Sequence, residues 1–299
     1  MTVLTDSVGY AVSNNWRHYL QLCKPKVVLL LVITAVVGML LADPRWQDWH
    51  KLIAATAGIA GAAAAAAVFN HLADSRIDAL MQRTRYRPLV RGTLTTRQAL
   101  VFAVTLAMVS LNLLYWLVNP LTAALTCIGL IGYALVYTCF LKYRTPQNIV
   151  LGGISGALPP LLGWTSITNQ LSIEPIVLVF IIFVWTPAHF WPLAIARLND
   201  YRRAKVPMLP VTHGVAYTRD AIVGYTLLLL PVSILPVCIG MSGGLYLLSA
   251  LLLGGWFLSS ALRLRLFSHQ LSAMRTFYVS IYYLFGLFAA LLVDHLWRL

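Results

Sequence analysis

Apolar residues run through this 299-residue chain in long blocks, separated by short polar or Pro/Gly-marked breaks. Nine such blocks fall at 24–42, 53–73, 99–118, 121–141, 149–165, 173–195, 221–239, 245–262 and 277–297. Each comes close to the roughly 20 residues an α-helix needs to cross the hydrocarbon layer of a bilayer. The pattern predicts an all-α, polytopic membrane protein, a bundle of nine transmembrane helices. The fifth block is expected to be broken, because Gly152, Gly153, Gly156, Pro159 and Pro160 interrupt it. Broken helices at membrane depth pack on protein or line a cavity. Residues 58–67 read GIAGAAAAAA, and small side chains let helices approach closely, so the second helix is placed centrally. Gly152-x-x-x-Gly156 is a weaker signal of the same kind. No internal repeat stands out. The chain divides into a polar arm at 1–15 and a single domain at 16–299.

Composition supports this reading. Charged residues make up 10% of the chain and hydrophobic ones 60%, against about 25% charged in a soluble domain. A soluble fold, a disordered chain, a collagen-like chain and a disulfide scaffold are excluded. Cys23, Cys127, Cys139 and Cys238 lie far apart in apolar stretches and are expected to be buried thiols. The net charge of +13 raises the question of nucleic acid, but its distribution gives another answer. With nine spans, 19 of the 22 Lys and Arg residues fall on the N-terminal side and 3 on the other. That asymmetry places the N-terminus in the cytoplasm and the C-terminus outside, with no call for nucleic acid. The first apolar block carries no small-x-small cleavage pattern, so no cleaved leader is expected. A bacterial inner membrane is the simplest home.

Only nine acidic residues are present. At the end of the second helix Asn70, Asp74 and Asp78 recur every four residues and stack on one helical face. Two carboxylates and an amide oxygen on one stripe repel unless a cation lies among them, and hard oxygen donors suit Mg²⁺ held jointly with a substrate phosphate. A solvated helix end with ordinary ion pairs would carry the same stripe. The arginines that follow, Arg83, Arg85, Arg87 and Arg91, favour a diphosphate. Asp200, followed by Arg202, Arg203 and Lys205, offers a second acidic arm from the loop after the sixth helix. Together the two loops would grip a diphosphate whose hydrocarbon tail lies in the bilayer, as prenyl transfer requires. His189 lies at the cytoplasmic end of the sixth helix beside Trp185 and Trp191; an anchoring role and a ligating role both remain open for it.

Residues 78–89 (DALMQRTRYRPL), 143–164 (YRTPQNIVLGGISGALPPLLGW), 185–195 (WTPAHFWPLAI) and 200–211 (DYRRAKVPMLPV) carry a more specific signal. With Asn70-x-x-x-Asp74-x-x-x-Asp78 they resemble the UbiA superfamily of intramembrane prenyltransferases, and within it the heme-farnesylating branch. The resemblance runs from about Leu22 to the last helix. It implies transfer of farnesyl from farnesyl diphosphate to a vinyl group of heme b, with water added, giving heme O. It implies Mg²⁺ as cofactor and a link to heme A synthase or terminal oxidase assembly. It implies that Asn70, Asp74, Asp78 and Asp200 hold metal and diphosphate, with Arg83, Arg87 and Lys142 as diphosphate contacts; His189 is a candidate substrate contact by its position alone. The second acidic motif often has another Asp four residues on. Here Ala204 stands there, which thins the second metal arm. The metal motif alone also suits transfer to an aromatic quinone precursor, and the broken fifth helix also suits a membrane transporter.

Overall fold

The computed structural model describes residues 15–43, 48–267 and 270–298. The expected arm lies almost wholly outside them. Nine helices among the described residues are long and apolar enough to cross a membrane. They are α1 (Pro25–Ala42), α2 (Trp49–Asp78), α3 (Thr96–Leu117), α4 (Pro120–Arg144), α5 (Asn148–Thr168), α6 (Ile173–Ala196), α7 (Gly214–Cys238), α8 (Gly244–Leu266) and α9 (Gln270–Trp297). A short helix, Asn15–Leu22, precedes α1. Two more, Leu198–Arg203 and Leu209–Thr212, lie between α6 and α7.

The starts of these helices follow from local sequence. Pro25 and Pro120 stand in first turns, where a missing N–H costs nothing. Thr95 and Gln98 form a reciprocal capping box at the start of α3. The Asn119 side chain accepts from Thr122 N and caps α4. α5 is broken as expected: one segment ends at Ala157 and the next begins at Pro159. α4 holds a departure that the apolar pattern does not announce. Its stretch Gly132–Leu141 is a π-helix, with i→i+5 bonds that widen the turn.

Each spanning helix packs on its neighbours in the chain, and α1 also meets α5 and α9, which closes a ring. The α1–α5 crossing is backbone against backbone. A Cβ on Gly38 would lie 2.2 Å from the Pro160 carbonyl oxygen, and one on Gly163 would lie 1.9 Å from that of Ala35. The largest apolar core joins α6, α7, α8 and α9, with Ile181, Phe257, Tyr283 and Leu287 fully buried. Large apolar side chains on the outer faces, such as Trp116, Leu117 and Leu252, are left uncovered, as lipid-facing positions are.

Two expectations need correcting. None of the four cysteines is buried: Cys139 and Cys238 are exposed, Cys23 and Cys127 half-buried. An apolar block around a thiol gives membrane depth but does not say which face of the helix meets lipid. In the Gly152/Gly156 pair, only Gly152 is a close contact, where a Cβ would lie 2.1 Å from the Tyr137 ring; around Gly156 there is open space.

Candidate active site

The stripe on α2 is buried at the end of the bundle where the 19 basic residues gather. Asn70, Asp74 and Asp78 are 4%, 3% and 4% exposed. Isolated carboxylates at that depth would be costly, and each has basic or polar partners. Asp74 accepts from Asn70 Nδ2 at 2.9 Å, Lys142 Nζ at 2.5 Å and Tyr143 OH at 3.0 Å. Asp78 accepts from Arg87 Nη1 at 2.5 Å. Lys24 Nζ donates to Asn70 Oδ1 at 2.5 Å. Thr84 Oγ1 donates to the Asp78 carbonyl and fixes the turn that carries the arginines.

These groups surround a cavity of about 130 Å³. Its polar wall comprises Lys24, Asn70, Asp74, Asp78, Arg83, Arg87 and Lys142, and its aromatic wall Tyr133, Tyr137, Phe190 and Tyr201. The π segment of α4 brings Tyr133 and Tyr137 in, with their rings stacked at 5.4 Å. Lys24 joins through an unusual backbone, φ 49° and ψ 59°, immediately before Pro25. Burial, and then the Arg87 guanidinium, pull its ammonium down to about 7, against the opposing pull of Asp74. Burial raises the Tyr201 phenol above its ordinary range.

A second cavity, of about 180 Å³ and almost wholly apolar, opens between α1, α2, α4 and α5. Ala62, Ala63, Ala66 and Ala67 of the alanine run form one side; Leu31, Leu130, Gly156 and Leu162 form others. Lys24 and Tyr133 line both cavities. The two therefore adjoin in an amphipathic arrangement, charged at the end of the bundle and apolar toward its middle. The alanine run thus has two tasks. Gly58 and Gly61 pack closely on α3, while the alanines after them leave room.

Of the eight residues the sequence singles out, six line the polar cavity: Asn70, Asp74, Asp78, Arg83, Arg87 and Lys142. Asp200 and His189 do not. Asp200 is buried, with its carboxylate 2.8 Å from Arg203 Nη2. Its neighbour Tyr201 reaches the cavity in its place. Among the described residues no three His, Cys, Asp or Glu side chains converge as a metal group. His189 packs against α9, beside the cavity-lining Phe190. Trp191, expected beside it, points elsewhere: it is buried against Tyr225 of α7. Sequence reasoning passed over Lys24, Tyr133, Tyr137, Tyr143 and Tyr201. The Lys24-Pro25 pair at the head of a spanning helix is the one local signal among them.

Two carboxylates face Arg83, Arg87 and Lys142 here, with Lys24 partly charged beside them, so the cavity carries surplus positive charge, which favours an anion over a bare cation. Hydrocarbon space next to that charge suits an amphiphile with an anionic head. The fold and cleft define a helical membrane protein built to hold a lipid-like anion. The chain belongs to the UbiA prenyltransferase family, whose pattern matches residues 31–292. It is 56% identical to the protoheme IX farnesyltransferase of Alkalilimnicola ehrlichii, over 98% of this chain and 96% of that one. It is 54% identical to the enzyme of the same name from Nitrosococcus oceani, over 99% and 98%. Among solved structures, that of digeranylgeranylglyceryl phosphate synthase superposes with a TM-score of 0.79 at 18% identity, covering 95% of this chain and 99% of that one. A UbiA homolog from Archaeoglobus fulgidus, bound to DMAPP and Mg²⁺, superposes at 0.63 with 16% identity, covering 91% and 98%.

Proposed function

We propose that this intramembrane prenyltransferase moves the farnesyl group of farnesyl diphosphate to a vinyl group of heme b, with water added, giving heme O. The observation that carries the donor half is the shared wall of the two cavities. A prenyl diphosphate laid along the cleft has its head among Lys24, Arg83, Arg87 and Lys142 and its tail along the alanine face. Its reactive C1 then falls at the junction, where Tyr133 belongs to both. The acceptor comes from the full-length relatives at 54–56% identity, which are named for it.

The donor set also fits Mg²⁺. Two carboxylates and an amide oxygen are hard ligands, and such sites bind the ion together with substrate phosphate. In the structure each carboxylate is paired with a base: Asp74 with Lys142, Asp78 with Arg87, Asp200 with Arg203. In this reading the bases turn to the diphosphate as it enters, which frees Asn70, Asp74 and Asp78 to hold the metal; Asp200 would join them through a turn of the facing loop, since it does not line the cavity here. When bound, Mg²⁺ would supply Lewis-acid stabilisation of the departing diphosphate. Lys24, Lys142 and the two arginines take up charge as the C1–O bond ionises. The rings of Tyr133 and Tyr137 face the allylic cation with π-electron density, and the apolar cavity keeps water from it until the vinyl group has reacted.

The basic asymmetry supports an N-terminus in the cytoplasm of a bacterial cell, a C-terminus outside its inner membrane, and delivery of product to heme A synthase or terminal oxidase assembly. Mass spectrometry of hemes from proteoliposomes given heme b, farnesyl diphosphate and Mg²⁺ tests the reading. Heme O should accumulate only when all three are present. A farnesylated hydroxybenzoate instead, with heme b untouched, would make it a quinone-pathway transferase. Uptake of solute without chemistry would make it a transporter.

A further inference from the structure

His189 sits in a setting that ordinary packing does not require. Its ring lies between Trp185, at 4.1 Å and 14° from parallel, and Phe277 of α9, at 4.6 Å and 27°. Its Nδ1 lies 2.7 Å from Ser280 Oγ. Which atom donates follows from hydrogen-bond accounting. The single hydroxyl proton of Ser280 goes to the Phe277 carbonyl oxygen at 2.6 Å. The serine can therefore only accept from the imidazole, so Nδ1 carries the proton and Nε2 carries the bare lone pair. Trp185 Nε1 donates to the Ser280 carbonyl at 2.8 Å and holds the arrangement from the other side. Among the described residues Nε2 has no hydrogen-bond partner, and the residue is only half-buried.

A neutral imidazole with Nδ1–H tied to an oxygen, a fixed plane and a free Nε2 is how proteins present histidine to a metal. The next residue, Phe190, stands in the wall of the polar cavity. We infer that His189 Nε2 is the axial ligand for the iron of the porphyrin acceptor, hung on α6 beside the cleft that holds the prenyl donor. This rests on the reading of the acceptor as heme b. Iron–imidazole ligation is ordinary porphyrin chemistry and would fix the ring against the cleft while a vinyl group meets the cation.

The test uses the full chain in lipid nanodiscs titrated with heme b. Resonance Raman of the ferrous complex should show an iron–histidine stretch. His189→Ala should lose that band and bind heme b at least tenfold more weakly, and added imidazole should restore ligation. Binding of farnesyl diphosphate with Mg²⁺ should stay within about twofold, which shows that the variant is folded. His213→Ala, at an exposed histidine outside the cleft, should change nothing. Should His189→Ala fail to fold, Ser280→Ala keeps the ring but removes the acceptor for Nδ1–H, and the stretch should fall in frequency. An iron–histidine band and heme affinity that survive His189→Ala, or a frequency unmoved in Ser280→Ala, would overturn the inference. If heme O still forms at the normal rate in that case, the acceptor reading stands and only the ligand is wrong. If the band behaves as expected but no heme O forms, the iron site stands and the acceptor reading fails.

Discussion

Lys24 adopts the left-handed conformation although it is not glycine and precedes a proline, two conditions that oppose it. Strain of that kind persists where the surroundings over-determine it, and here the ammonium is pinned to Asn70 at the junction of the two cavities. Lys24→Met keeps the length of the side chain and removes its charge. A charge-assisted contact is worth about 1.5–3 kcal/mol, so the KM for farnesyl diphosphate should rise about 10- to 100-fold in steady-state assays, with kcat less affected. An unchanged KM would take Lys24 out of the diphosphate set. In the sequence this lysine is one basic residue among 19 on its side. Its place in the site depends on where α1 lies against α2, which no local pattern encodes. The acidic stripe was legible for the opposite reason: Asn70, Asp74 and Asp78 sit on one helix, and helical geometry alone aligns them.

At the scale of elements, α1 and α5 cross backbone against backbone. Gly163→Ala puts a methyl group 1.9 Å from the Ala35 carbonyl oxygen, and backbone cannot step aside as a side chain does. Overpacking of this sort costs about 1–3 kcal/mol or more, so thermal unfolding in detergent should show a clear loss. Gly224→Ala is the counterpart in α7, where a new Cβ meets nothing within 4 Å. It should stabilise by up to about 1 kcal/mol through helix propensity. Equal effects from the two would mean that the crossing is looser than described. Helix number and the break in α5 followed from apolar run length and from the Gly and Pro residues that interrupt it. The π segment at Gly132–Leu141 did not, because one extra residue per turn leaves an all-apolar run looking the same. It nonetheless sets where Tyr133 and Tyr137 point. The facing loop shows the same limit: its composition put Asp200 forward, while the fold sends Tyr201 to the cavity.

For the whole molecule, the surplus positive charge and the polar cavity share one end of the ring. The opposite end is tied by Asp294, whose carboxylate accepts from Gly243 N at 2.6 Å and Tyr246 N at 3.2 Å and joins α9 to the head of α8. With one crossing for each of the nine apolar helices among the described residues, the orientation we propose puts the two termini on opposite sides. A reporter fused after Leu299 should therefore read as external and one before the Asn15–Leu22 helix as cytoplasmic. A cytoplasmic reading at both would remove a crossing and separate the loops that build the cleft.

We propose that the acidic stripe, Asp200 and their basic partners ionise a metal-bound prenyl diphosphate. Asn is nearly the same shape as Asp but uncharged, so the exchange tests electrostatics with little change in packing. Electrostatic stabilisers of a transition state are worth about 3–4 kcal/mol, a rate factor of roughly 10²–10³. The direct measurement is diphosphate release from farnesyl diphosphate, in the presence of heme b and Mg²⁺, by reconstituted Asp74→Asn, Asp78→Asn and Asp200→Asn chains at equal membrane levels. Each should fall by roughly 10²–10³, while Arg202→Ala stays within about tenfold of the unaltered chain. Near-normal release from all three Asn variants would contradict the account and leave the stripe a set of buried ion pairs with no part in the chemistry.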